Sequence, residues 1–301
     1  MDNNILLSIA SIGVLGIACQ WFAWWVKIPS ILFLLTMGII VGPVLNLINP
    51  DALFGNLLFP FISLSVAVIL FEGSLTLKFE DIRGHVKTVS NLVSTGALIT
   101  WLIIGYSTYR LLDLPIELAF LFGAIVVVTG PTVIIPMLRI VRPNTKVANV
   151  LRWEGIVIDP LGALLAVLVF DFIISGQQNN ALGMIFLTFG KIIFSGLIIG
   201  FVSGWLIGEI LRKQYVPQYL RNIFTLISVF AIFVISEMIE SESGLLAVTV
   251  MGITMANMKD MDIDNILDFK ESLSVLLISA LFIILAARIE LHELIHVGWP
   301  A

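Results

Sequence analysis

The sequence predicts an all-α, polytopic helical membrane protein with about ten transmembrane helices, one of them discontinuous. Hydrophobic residues make up 59% of the 301-residue chain and charged residues only 12%, more apolar surface than a soluble domain of this length needs. The apolar residues form ten segments that can each cross a hydrocarbon core of about 30 Å, which takes about 20 residues of helix. A Gly-Pro pair interrupts the fifth segment, which predicts the discontinuity.

Composition also excludes several classes of function. The net charge of −5 is spread over short loops, so no patch is present that would bind nucleic acid. Cys19 is the single cysteine and lies in the first apolar segment, which excludes a disulfide framework and a thiolate metal site. The partner that the sequence predicts is membrane lipid, and it predicts no cofactor and no catalytic residue.

The order of the segments predicts the path of the chain. We expect spanning helices near residues 4–25, 29–48, 57–77, 88–112, 116–141, 148–175, 181–211, 218–238, 243–258 and 269–290. The charged stretch at 78–87 predicts a short interfacial helix. With the N-terminus outside, thirteen of the sixteen Lys and Arg residues fall in inner loops. This asymmetry predicts a multi-pass protein of a bacterial or archaeal cell membrane in that orientation.

Gly130 and Pro131 lie in the middle of the fifth segment. Proline has no N–H to donate and its ring clashes with the carbonyl four residues earlier, so the helix must break there. A broken helix inside hydrocarbon is tolerated only where it is buried in protein or lines a polar cavity.

Asp159 lies on the next helix, at the depth of this break. At about 1.5 Å per residue it lies roughly 16 Å from the inner end near Ala148, and Thr129 lies roughly 18 Å from the inner end at Val141. Glu72, near the inner end of the third segment, is shallower. Pro160 follows the aspartate and is expected to break its helix as well, which would free the carbonyl of Ile156.

These groups predict an ion-exchange site. A small alkali cation prefers oxygen ligands, which the carboxylate, freed carbonyls and the Thr129 hydroxyl would supply. One carboxylate that holds either H⁺ or the cation, but not both, suffices for exchange. Ionisable residues at the midplane of a membrane mark such pathways.

Five stretches resemble the NhaP-type sodium/proton antiporters of the cation:proton antiporter family. They are FEGSL at 71–75, TGPTVI at 129–134, WEGIVIDP at 153–160, SESGLLAVTVMGITMAN at 241–257 and FKESLSVLLISALFIILAARI at 269–289. The resemblance implies electroneutral exchange by alternating access, with a core domain rocking against a dimer domain, and a homodimer. It also implies a cytoplasmic regulatory domain in the full-length protein.

The resemblance further implies individual roles. Asp159 would be the exchanging carboxylate, with Glu72 and Thr129 as members of the ion site. Glu154 would form a structural ion pair with an arginine on a later helix. Three positions depart from the family pattern: Ile158 replaces an Asn, Gly155 a small hydroxyl residue, and Gly130 an occasional acid. Fewer side-chain ligands leave Na⁺ and K⁺ both open as substrates.

The end of the chain carries two further expectations. The final residues HVGWPA resemble the start of another segment, so residues 1–301 are expected to form an exchanger-type transmembrane domain that is incomplete at its C-terminus. His292-Glu293-Leu294-Ile295-His296 matches the zinc-protease signature HExxH, which makes an intramembrane metalloprotease one alternative. A cation channel is another, because a broken helix can line a pore.

Overall fold

The computed structural model describes residues 3–112, 114–175, 181–259 and 264–290. These ranges form thirteen α-helices and no strand. The helices are α1 (Asn3–Val26), α2 (Ser30–Ile39), α3 (Pro50–Phe54), α4 (Leu58–Leu75), α5 (Val86–Asn91), α6 (Ala97–Leu111), α7 (Ile116–Val126), α8 (Pro131–Val141), α9 (Thr145–Ser175), α10 (Ala181–Arg212), α11 (Arg221–Ile239), α12 (Gly244–Ala256) and α13 (Asp264–Ala287). Single π-helical turns continue α2 over Ile40–Val44 and join α5 to α6 over Leu92–Gly96.

All ten predicted segments are helical. Six helical stretches are long and apolar enough to cross a membrane: Ile5–Val26, Pro50–Leu75, Val86–Leu111, Thr145–Ile174, Leu187–Arg212 and Gln218–Ile239. Four shorter apolar helices occupy the remaining segments: Ser30–Val44, Ile116–Val126, Gly244–Ala256 and Ser272–Ala287. The all-α, multi-pass membrane architecture is therefore confirmed.

The predicted discontinuity lies where the sequence indicates, but only at one of the two prolines. Helix α7 ends at Val126 and α8 begins at Pro131, and Gly130 between them has a φ of 63°. The predicted break at Pro160 is wrong, because α9 is helical from Thr145 to Ser175 with Pro160 inside it. A proline removes one helical hydrogen bond, and inside a membrane bundle the packing of neighbouring helices can keep the helix continuous around it.

The expected interfacial helix at residues 78–87 is also wrong. The chain makes a 3-10 turn over Phe79–Ile82, and α5 does not begin until Val86. Gly84 has a φ of 91°, a left-handed conformation that no α-helix contains. The Phe79 N–H, the first of this 3-10 turn, donates to the Asn257 side chain at 2.8 Å.

Most of the described helices pack into one body, here called the scaffold group: α1, α2, α4 and α10 to α13. One apolar cluster joins α4, α10, α11 and α12 around Phe71, Val229, Val248 and Met251. A second joins α1, α2, the start of α4 and α13 around Leu34, Leu58 and Ile283. Close packing of these side chains holds the helices of this body together, because van der Waals contact drives helix association within lipid.

Helices α6 to α9 form a second body, here called the break group. The Trp101 indole on α6 donates to the Phe120 carbonyl on α7 at 2.9 Å, and the two rings meet edge to face at 5.9 Å. Gly105 and Gly123 bring the backbones of α6 and α7 together, because a Cβ on Gly123 would lie 3.0 Å from the Gly105 nitrogen. Helix α9 packs against α7 and α8 and also faces the scaffold group.

Candidate functional site at the helix break

The break between α7 and α8 lies directly against the Asp159 carboxylate of α9. The point where a Cβ on Gly130 would stand is 3.9 Å from Asp159 Oδ1. Asp159 is partly buried, and its neighbours Ile158 and Pro160 are buried. The two features that the sequence places at the same depth are therefore in contact.

Two glycines of α9 allow this approach. Gly155 and Gly162 lie four residues before and three residues after Asp159, which places all three on one face of the helix. A Cβ on Gly155 would lie 2.6 Å from Ile134 Cδ1 of α8, and a Cβ on Gly162 would overlap Val128 of the break. Gly155, one of the departures from the family pattern, therefore provides space for α8.

The broken helix presents opposite partial charges to this carboxylate. The last carbonyls of α7 and the first N–H groups of α8 have no partner within their helices. A helix C-terminus attracts a cation and a helix N-terminus favours an anion. When ionised, Asp159 lies next to Gly130 at the N-terminus of α8, where the α8 dipole stabilises a negative charge, and the last carbonyls of α7 attract a cation at the same break.

Thr129 and Glu154, for which the sequence predicted separate roles, are joined. The Thr129 hydroxyl donates to Glu154 Oε1 at 3.0 Å, and Glu154 is only 8% exposed. No ion pair of Glu154 occurs within the described ranges, so its predicted arginine partner stays a prediction. Arg288, at the end of α13, pairs with Asp51, with 3.1 Å between Nε and Oδ2.

Glu72 belongs to the scaffold group, on the part of α4 that faces the break. Its neighbour Gly73 lies against the break group, because a Cβ there would be 3.4 Å from Ile156 Cδ1 and 3.9 Å from Pro131 Cβ. Glu72 itself is half-buried. The C-terminal end of α4 thus contacts the region around Asp159.

The sequence analysis did not identify Thr132 as a member of this region. Its hydroxyl oxygen lies 3.8 Å from the point where a Cβ on Gly130 would stand. Asp159 Oδ1 lies 3.9 Å from that same point. The motif TGPT could have indicated Thr132, because it has a second threonine directly after the break. A residue in the first turn after a break points its side chain near the interrupted backbone.

Within the residues that the structure covers, no group of three or more His, Cys, Asp and Glu side chains could hold a metal ion. The HExxH motif at 292–296 lies outside the described residues.

Comparison with known proteins agrees with this geometry. The family described as the transmembrane sodium/hydrogen exchanger matches residues 6–301. The chain is 31% identical to Na(+)/H(+) antiporter 1 of Methanocaldococcus jannaschii, over 97% of this chain and 70% of that protein. It is 23% identical to the K(+)/H(+) antiporter NhaP2 of Shewanella sp., over 91% of this chain and 47% of that protein.

The fold agrees as well. The structure of the sodium proton antiporter MjNhaP1 from M. jannaschii at pH 8 superposes with a TM-score of 0.82 and 26% identity, over 97% of this chain and 72% of that one. Such antiporters need no cofactor, because the transported ions are their substrates. The chain therefore belongs to the transmembrane sodium/hydrogen exchanger family, and it is a secondary transporter of the monovalent cation/proton antiporter class and not an enzyme.

Proposed function

We propose that Asp159 is the carboxylate that H⁺ and the transported cation occupy in turn. The observation that carries this proposal is the 3.9 Å approach of Asp159 Oδ1 to the Cβ position of Gly130. A carboxylate beside interrupted backbone offers the oxygen ligands that an alkali cation prefers. Protonation removes its charge and releases the cation, so a single group exchanges the two ions.

The neighbouring residues divide into ligands and supports. The Thr129 hydroxyl donates its hydrogen bond to Glu154, which leaves the oxygen lone pairs of Thr129 available to a cation. Glu154 is then a structural residue that fixes the Thr129 rotamer, and Glu72 contributes a second carboxylate from the scaffold side. Gly130 and Pro131 supply the interruption itself.

The proposal extends to the membrane setting. Residues 1–301 act as an exchanger-type transmembrane domain in a bacterial or archaeal cell membrane, with the N-terminus outside, as the distribution of Lys and Arg indicates. Alternating access moves the break group relative to the scaffold group, and the scaffold group forms the homodimer contact. A cytoplasmic regulatory domain in the full-length protein remains part of this proposal.

The transported cation is Na⁺ or K⁺, since relatives of this chain are named for each. Neither Gly130 nor Gly155 offers a side-chain ligand that would fix the size of the site. Proton flux driven by opposing gradients of Na⁺, K⁺ or Li⁺ in proteoliposomes ranks the three ions directly.

The test of the site is Asp159→Asn in the same proteoliposomes. The asparagine amide does not take up and release a proton at the pH of the assay, so cation-driven proton flux should fall to the background of empty vesicles. Asp171→Asn, twelve residues later on α9 and exposed, is the matched control and should retain flux. Flux retained by Asp159→Asn would refute the assignment. Flux that follows voltage and needs no proton gradient would instead favour a channel.

A further inference from the structure

Phe79 touches both helical groups at once. Its backbone N–H donates to Asn257 Oδ1, at the end of α12, over 2.8 Å. Its ring stacks on Trp153 of α9, with 5.4 Å between the ring centroids and 30° between the planes. One residue thus joins the scaffold group through its backbone and the break group through its side chain.

The scaffold side of this junction is held by directional contacts. The Asn257 amide donates to the Leu77 carbonyl at 2.9 Å and to the Ile253 carbonyl at 2.7 Å, so one side chain fixes both the α4 extension and the end of α12. Gly252 and Ser74 bring α4 and α12 into close contact just before this point. The Phe79 backbone therefore moves with the scaffold.

The break-group side is held mainly by contacts without a fixed direction. Leu77, Ile82 and Val89 form an apolar cluster with Trp153 and Ile156 of α9. Among the described residues, the polar contact between this segment and α9 is long, with 3.3 Å from Asn149 Nδ2 to the Asp81 carbonyl. Stacked rings and apolar side chains can slide past one another at little cost. The three hydrogen bonds of the Asn257 side chain cannot, because each requires a narrow range of distance and angle.

The chain leaves the scaffold group immediately after Phe79. It makes the 3-10 turn Phe79–Ile82, passes through Gly84 with its φ of 91°, and enters α5, which leads to the break group. A Cβ on Gly84 would meet no atom within 4 Å, so this backbone has room to turn. Short loops of this kind absorb the dihedral changes of domain movements.

We propose that Phe79 is a positioning residue that sets the register of α9 against the scaffold, and that residues 80–85 are the hinge between the two groups. Trp153 lies six residues before Asp159, about 9 Å along the same helix, so a shift of α9 moves both together. The Phe79–Trp153 stack forms in the access state that this structure represents. In the other access state the stack is lost, or Phe79 contacts a different part of α9. This inference rests on the proposed alternating-access function.

The test compares cation affinity from the two sides of the membrane. In proteoliposomes with one protein orientation, the apparent KM for the cation is measured with the cation inside and with the cation outside. The ratio of the two KM values follows the equilibrium between the access states. An aromatic pair contributes enough that Phe79→Ala should change this ratio by about 2- to 12-fold.

Three variants make the result specific. Phe79→Tyr keeps the ring and should restore the wild-type ratio. Phe201→Ala removes a ring of similar exposure, 60% against 56% for Phe79, from α10 and should leave the ratio unchanged. Trp153→Leu should change the ratio in the same direction as Phe79→Ala, and the double variant should add nothing further, because both remove one contact.

The outcomes separate this inference from the proposed function. A residue needed only for folding would lower yield and maximal rate and leave the KM ratio unchanged, and that result for Phe79→Ala would overturn the proposal. An equal change of the KM ratio in Phe79→Ala and Phe201→Ala would also overturn the proposal. Wild-type protein that exchanges no cation for protons would instead refute the proposed function.

Discussion

Helices α10 and α12 of the scaffold meet backbone to backbone, whereas α8 and α9 at the break meet through the ends of flexible side chains. A Cβ on Gly204 of α10 would lie 2.7 Å from the Met251 carbonyl of α12. A Cβ on Gly155 of α9 would lie 2.6 Å from the terminal Cδ1 of Ile134. A backbone atom cannot yield without moving its helix, but a methyl group can change rotamer. The scaffold interface is therefore fixed, and the interface beside Asp159 can readjust.

The two regions also differ in how their buried polar groups are satisfied. In the scaffold, hydroxyls mostly bond to their own helix, as Ser65 does to the Phe61 carbonyl and Thr249 to the Leu245 carbonyl. At the break, the Thr129 hydroxyl reaches Glu154 on a different helix, 25 residues later. Hydroxyl bonds in the scaffold therefore mostly satisfy single helices, whereas the Thr129–Glu154 bond joins two elements of the break group.

The largest effect expected from this comparison is on stability. Gly204→Ala should lower the free energy of unfolding by about 1–3 kcal/mol, because overpacking against backbone displaces a helix. Gly190→Ala, on the same helix and with no atom within 4 Å of the added Cβ, should be neutral or stabilising by up to about 1 kcal/mol. Thermal unfolding in detergent measures both. If Gly155→Ala lowers the free energy of unfolding as much as Gly204→Ala does, the proposed difference between the two regions is wrong.

A smaller effect is expected at the break. Thr129→Val keeps the shape but removes the donor to the buried Glu154 carboxylate. It should lower the free energy of unfolding by about 0.5–1.5 kcal/mol, the net contribution of one hydrogen bond, because water or a cation can replace the donor. The apparent affinity for the transported cation should fall as well, and Thr129→Ser should restore both. Thr36→Val, which removes an exposed bond to the carbonyl of Leu32 within α2, is the control. Unchanged stability and unchanged cation affinity in Thr129→Val would show that the bridge has no role.

The smallest expected effect lies in the turn between α11 and α12. Burial, together with the nearby charges of Glu237 and Asp171, raises the pKa of Glu242 above its usual value. A carboxyl whose pKa is raised in the folded state destabilises the fold as pH rises from its unfolded pKa through its folded pKa. Glu242→Gln should therefore raise Tm at neutral pH and have no effect below about pH 4. A Tm difference between Glu242→Gln and the wild type that grows as the pH falls would contradict this prediction.

The sequence was informative where one residue decides the local geometry. Pro131 follows a glycine that adopts a positive φ, and both features end a helix, so the break was predictable. Pro160 has the same chemistry but lies within a continuous α9. Proline alone therefore does not reveal whether a helix stops, because the packing of the surrounding helices decides it.

Contacts between elements were harder to predict from the sequence. The approach of Asp159 to Gly130 followed from matched depths along two helices, which the rise per residue determines. The Thr129–Glu154 bond depends also on the rotation of α9 about its axis, and Phe79 contacts Asn257 across 178 residues of sequence. No local pattern encodes such a pairing, which is why residues 78–87 were expected to form a helix.

Proton release on cation binding tests most directly whether H⁺ and the cation compete for Asp159. Purified protein in weakly buffered detergent solution is titrated with Na⁺ and K⁺ at several pH values, and the protons released are counted against the cations bound. We expect up to about one proton for each bound cation, with no release from Asp159→Asn and normal release from Asp171→Asn. Cation binding without proton release, or release that persists in Asp159→Asn, would contradict the account.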